Sequence, residues 1–161
     1  MNRYASAAIA ILAAWVIVPA TRGDAQEFDI LTANCLIGYE NDDHPEICAE
    51  VEPELKDAVR EAKRKWQARN AERLRELQQA CEARLRRAYG GDAASIEQAK
   101  REARKWRAGF RAQLLGDPNR ANRVDCRAYA DDFGGGKDRV DIQQWMIDQT
   151  RDSPARAIKW P

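Results

Sequence analysis

The residues best equipped for chemistry in this chain are few, and four of them are cysteines. Cys35, Cys48, Cys81 and Cys126 form an even set with no CxxC pair, and the one histidine, His44, is followed by Pro45 rather than a second ligand. Zinc sites draw on ligands a few residues apart, so this spacing predicts two disulfides instead of a metal centre. Adjacent acids, Asp42 with Asp43 and Asp131 with Asp132, have the right type for acid-base work or calcium. The run DDFGGGKD at 131–138 nevertheless lacks the alternating ligands and closing Glu of an EF-hand loop, and neighbouring acids in a loop are ordinarily just solvated. No GxSxG or comparable nucleophile motif occurs. The reading is therefore of a non-enzyme with no cofactor and no metal.

Disulfides need an oxidising compartment, and the start of the chain supplies a route to one. Arg3 precedes an uncharged run from Ala5 to Ala20, sixteen residues long, which matches the basic and apolar regions of a secretory signal. A membrane span needs roughly 20 such residues, so cleavage is favoured over an uncleaved anchor. Gly23 and Ala25 before Gln26 suit a signal peptidase, with Val18 and Ala20 as a second option. Residues 1–25 are read as a signal peptide and the product as periplasmic or secreted, touching membrane only through that peptide. Of the 161 residues, the remainder is the length of one ordinary domain.

Charge is segregated along this mature part. Residues 26–57 hold ten acids and one base, while residues 58–115 hold sixteen bases and seven acids. One reading is a solvated basic surface partly neutralised by the chain's own acidic opening. The other is a basic face for a protein or a polyanionic envelope component. Basic helices bearing Trp66 and Trp106 also suit nucleic acid, but export argues against that partner.

The elements that would position these groups are helical. Residues 26–52 form an acidic, turn-rich segment without helical period, expected as a disulfide-closed loop. From Pro53 apolar residues recur three or four apart at Leu55, Val59, Ala62 and Trp66, then at Leu74, Leu77, Cys81 and Leu85, predicting a helix over about 53–89 that stops at Gly90-Gly91. A second, over about 93–115, carries Ile96, Ala99, Ala103, Trp106, Phe110 and Leu114, with Asp92 or Ser95 as its cap. So short a turn predicts an all-α fold built on a long antiparallel hairpin of coiled-coil character, pairing Leu85 with Ala99, Cys81 with Ala103, Leu77 with Trp106, and Leu74 with Phe110. Shorter helices are expected at 119–133 and 138–150, joined at Gly134-Gly135-Gly136. They complete a helical domain at 53–151 that is followed by a flexible tail at 152–161. REAKRKW at 60–66 echoes REARKW at 101–106, a likeness common in amphipathic helices and read as convergent composition.

Helix geometry constrains the disulfides. Cys81 lies 28 residues past Pro53, roughly 42 Å along a straight helix, whereas the residues from Cys48 to Pro53 reach only about 17 Å; Cys48 with Cys81 is excluded unless the helix breaks. Cys35–Cys48 with Cys81–Cys126, and Cys35–Cys81 with Cys48–Cys126, both survive. The first is preferred, because a chain running back along the second helix brings Cys126 level with Cys81.

In that hairpin the first helix outruns the second, so Leu55, Val59, Ala62 and Trp66 need another cover, for which 119–133 and 138–150 are the candidates; left uncovered they form a candidate interaction face, since exposed apolar patches mark interaction sites. ARKWRAGFR, from Ala103 to Arg111, followed by Cys126, resembles the Trp-and-Arg helix of the secreted helical lysozyme-inhibitor family. Here the spacing of Trp106 and Arg111 is stretched and Cys126 lies further downstream, so no role is carried over from it. The functional expectation is a non-catalytic exported protein that binds another macromolecule. The alternatives are a periplasmic chaperone, an inhibitor of an envelope enzyme, or a small hydrolase built on Asp42, Asp43 and His44.

Overall fold

A computed structural model of the chain describes residues 29–39, 43–117, 124–136, 140–158 and 160. The expected signal peptide and Asp42 lie outside the described residues. Within them the fold is all-α: seven α-helices and no strand. They are α1 (Ile30–Ile37), α2 (His44–Val51), α3 (Lys56–Arg69), α4 (Ala71–Ala88), α5 (Ala93–Gly116), α6 (Cys126–Gly135) and α7 (Gln144–Asp152), with a 3-10 turn at Pro53–Leu55 leading into α3.

The acidic opening is not a loop. Asp29 caps α1 by accepting from the Thr32 amide at 3.1 Å, and Gly38, at φ 87°, ends it. Pro45 sits in the first turn of α2, where its missing N–H costs nothing. Each helix spans two turns, too short for a period to emerge from polar surroundings. Each still buries one face, through Thr32, Ala33, Cys35 and Leu36 in α1 and Pro45, Ile47 and Cys48 in α2.

The expected helix over 53–89 is interrupted at Asn70, a residue whose amide competes with the helical backbone. Buried Asn70 donates through Nδ2 to the Trp66 carbonyl at 3.0 Å and to Asp141 at 3.0 Å, and accepts from the Ile142 amide at 2.9 Å. The interruption is thus tied to the loop before α7. Arg69 reinforces it, donating to Asp141 and to the Phe133 carbonyl at 2.9 Å. Burial alone would raise the Asp141 pKa, but the bonds from Arg69 and Asn70 outweigh it and hold the carboxyl below its usual value.

The hairpin register survives only near its turn. Gly90 and Gly91 take positive φ there, and Asp92 caps α5 through the Ala94 and Ser95 amides. Beyond the turn, α1 packs on both α4 and α5. Cys81, Leu85, Ala99 and Ala103 share one cluster with Ala33, Cys35, Leu36 and Ile158. Leu77 belongs instead with Trp66, Ile142 and Ile147, where α7 covers α4. Gly134 and Gly135 are not a joint either: they lie inside α6, with Gly134 against Ala62 of α3, and Gly136 at φ 70° ends the helix. Residues 154–158 run largely exposed over the surface, with Ile158 buried in the first cluster as their anchor.

The preferred disulfide pairing is overturned. The bonds are Cys35–Cys81 and Cys48–Cys126, with Cα separations of 5.1 and 5.7 Å. The reason is where α6 lies. It runs along α3 rather than along α5, which carries Cys126 to Cys48 and leaves Cys81 to α1.

Candidate interaction face

The face expected at Leu55, Val59, Ala62 and Trp66 is covered. Val59, Ala62 and Trp66 are buried and Leu55 is partly so, packed with Cys48, Cys126, Tyr129 and Phe133. Phe133 stands against the Trp66 ring at 5.9 Å, and the indole N–H donates to the Val140 carbonyl at 2.8 Å. This face closes the α3–α6 layer and offers a partner no surface.

The half-open stripe lies on α5 instead. Its only buried residues are Ala99 and Ala103; beyond them Trp106, Phe110 and Leu114 remain half-buried along one side of the helix. Trp106 stacks on Phe110, with ring centroids 5.7 Å apart, and meets Trp160 at a tilt of 36° and 5.2 Å. On the flank toward α2, Arg107 forks onto Asp43, donating through Nε at 2.6 Å and also through NH2, while Arg111 reaches Glu50 at 3.2 Å. Together with Asp29–Arg84, these pairs join the acidic opening to the basic helices. Part of the basic excess is therefore neutralised within the chain, while Arg101, Arg104 and Lys105 on the outer side of α5 stay exposed.

The other chemical candidates do not converge. Asp43 is held by Arg107, His44 stacks on Tyr129 at 4.9 Å, Asp131 is exposed and Asp132 is buried. Among the described residues no three His, Cys, Asp or Glu side chains are grouped to hold a metal. Trp145 is 57 % exposed on the outer side of α7, but a single aromatic at the surface is ordinary.

Sequence reasoning missed one buried polar centre, Arg84, which is only 1 % exposed. Its guanidinium donates to both Asp29 carboxylate oxygens at 2.8 Å, to Thr32 Oγ1 at 3.0 Å, to Ser153 Oγ at 3.0 Å, and to the carbonyls of Thr150 at 3.2 Å and Pro154 at 2.6 Å. A buried arginine is tolerated only with its donors satisfied and its charge paired. The signal for it was faint: Arg84 falls within the apolar run of α4, between Cys81 and Leu85.

No protein-family model, curated protein or solved structure matches this chain. The two closed disulfides are of the kind that persists in oxidising, extracytoplasmic surroundings. No helix among the described residues is long and apolar enough to cross a membrane.

Proposed function

We propose that the chain is a non-catalytic exported protein, periplasmic or secreted after loss of residues 1–25, that binds a protein or polyanionic component of the envelope. The observation that carries this reading is the half-open stripe of Trp106, Phe110 and Leu114 on α5. Aromatic residues with arginine at a surface supply much of the energy of macromolecular binding, and Arg101, Arg104 and Lys105, exposed on the outer side of the same helix, add a positive field that favours acidic groups on the partner. Export is supported by the uncharged run behind Arg3 and by both disulfides.

The test is to recover the chain from the envelope and the medium, weigh it before and after reduction, and identify what co-purifies. The expected product lacks its leader, gains about four hydrogens on reduction, and carries a partner that is lost with Phe110→Asp. A full-length cytosolic chain with reduced thiols would end the export reading. A partner indifferent to Phe110→Asp would end the assignment of the face.

A further inference from the structure

The segment after α7 is held by side chains rather than by helix pairing. Its backbone groups bond to side chains of other elements: the Pro154 carbonyl accepts from Arg84 at 2.6 Å, the Arg156 amide donates to Asp29 at 2.9 Å, and the Ile158 amide donates to the Tyr89 hydroxyl at 3.0 Å. Neither disulfide reaches it, since Cys35–Cys81 and Cys48–Cys126 both lie upstream. Its apolar anchors are Ile158, set in the α1–α4–α5 cluster, and Trp160 against Trp106. Beside Ile158 a surface cleft of about 470 Å³ is already open, walled by Tyr89, Ala99, Gln98, Arg101 and Glu102.

We infer that residues 154–158 and Trp160 form a hinged strap that opens while the rest of the fold stays closed, with Asp29, Arg84 and Tyr89 as its latch. Segments with few backbone hydrogen bonds to helices or strands and no covalent tether open at lower free energy than the core. Opening withdraws Ile158 from the wall of the cleft and Trp160 from Trp106. That lengthens the apolar side of α5 from Phe110 back toward Ala99. The strap thus occupies part of the face that a partner would use; this covering role, though not the hinge, rests on the docking reading of α5.

Hydrogen exchange of the intact mature chain tests the hinge, and the apolar dye anilinonaphthalene sulfonate tests the cover. In the wild-type chain the amides of 155–158 should exchange ahead of those of 77–85. Tyr89→Phe keeps the ring but removes the acceptor for the Ile158 amide. It should speed exchange at 155–158 by about fivefold, the effect of one lost hydrogen bond, raise dye fluorescence and leave 77–85 unchanged. Trp160→Ala should raise dye fluorescence in the same way. Strap amides that exchange at the rate of 77–85 in both chains would overturn the hinge, and faster strap exchange without a gain in dye would overturn the cover. Neither readout involves a partner, so failure here leaves the docking reading standing, and failure of co-purification leaves the hinge standing.

Discussion

Trp66 and Trp106 end nearly identical stretches, REAKRKW and REARKW, and meet opposite fates. Trp66 is buried, ring to ring with Phe133, its N–H bonded to the Val140 carbonyl. Trp106 is half-buried, with its contacts supplied by Phe110 on its own helix and by Trp160 on the strap. Composition does not separate the two; the neighbour does. A disulfide from Cys48 fixes the first residue of α6 beside α3, and Tyr129 and Phe133 follow it onto the stripe. The distal half of α5 receives α2 instead, which reaches it mainly through Asp43 and Glu50. An apolar stripe closes where a tethered helix brings aromatics to it and stays partly open where the neighbour brings charge.

The largest expected effect breaks the comparison if it is wrong. Trp66→Ala should cost about 3–5 kcal/mol, the range for a buried aromatic, and Trp106→Ala about half of that or less, since part of its ring is already in water. Urea midpoints at constant m-value read both; equal losses would mean that the two stripes are equally buried. Next is the tether. Replacing Cys48 and Cys126 together by Ala should cost about 2–5 kcal/mol and expose α3 amides to exchange before those of α4, which Cys35–Cys81 still holds to α1.

The misplaced face and the misassigned disulfides are a single error. Helix existence from Pro53 onward, the turn at Gly90-Gly91 and the cap at Asp92 were legible because the apolar period is long there and glycine and aspartate have specific backbone roles. The direction of α6 was not legible, since local periodicity says nothing about which of two stripes a short helix will cover. Cover for Val59, Ala62 and Trp66 was open between 119–133 and 138–150; carried into the disulfide argument, the first choice lays α6 on α3 and brings Cys126 to Cys48. The break at Asn70 left one faint trace: the apolar stripe skips a step there, from Trp66 to Leu74, and then resumes in phase. The half-open stripe on α5 was visible as a pattern yet counted as paired with α4, because nothing local announces that α1 packs on both of the hairpin's helices.

Acid should act on the side of the molecule that the strap closes. Burial alone would raise the Asp29 pKa, but bonds from the Thr32 hydroxyl, the Arg156 and Thr32 amides and Arg84 outweigh it and lower the carboxyl from 3.8. A carboxyl depressed in the fold contributes its full stability above the unfolded value and loses it as pH falls through the folded one. Stability should therefore decline as pH drops below 3.8. Asp29→Asn should flatten that decline more than Asp141→Asn does, because Arg84 is buried whereas Arg69 is 31 % exposed. Urea midpoints between pH 2.5 and 6, taken with the matched variants, decide it.

The smallest effect separates the two closures by their physics. The pairs that hold α2 to distal α5 are partly exposed: Arg111 and Glu50 at 36 % and 51 %, Arg107 and Asp43 at 23 % and 16 %. Exposed pairs of this kind contribute under about 1 kcal/mol and weaken further as added salt shortens the screening length. Arg111→Gln should thus shift global stability by no more than about 0.5 kcal/mol, within reach only of careful replicate melts. Its signature is local. Raising sodium chloride to about 1 M, where the screening length is near 3 Å, should speed amide exchange across residues 106–116 and leave 59–66 untouched, because apolar contact and a disulfide do not screen. Salt that loosens both segments alike would mean that the charged neighbour is not what sets Trp106 apart from Trp66.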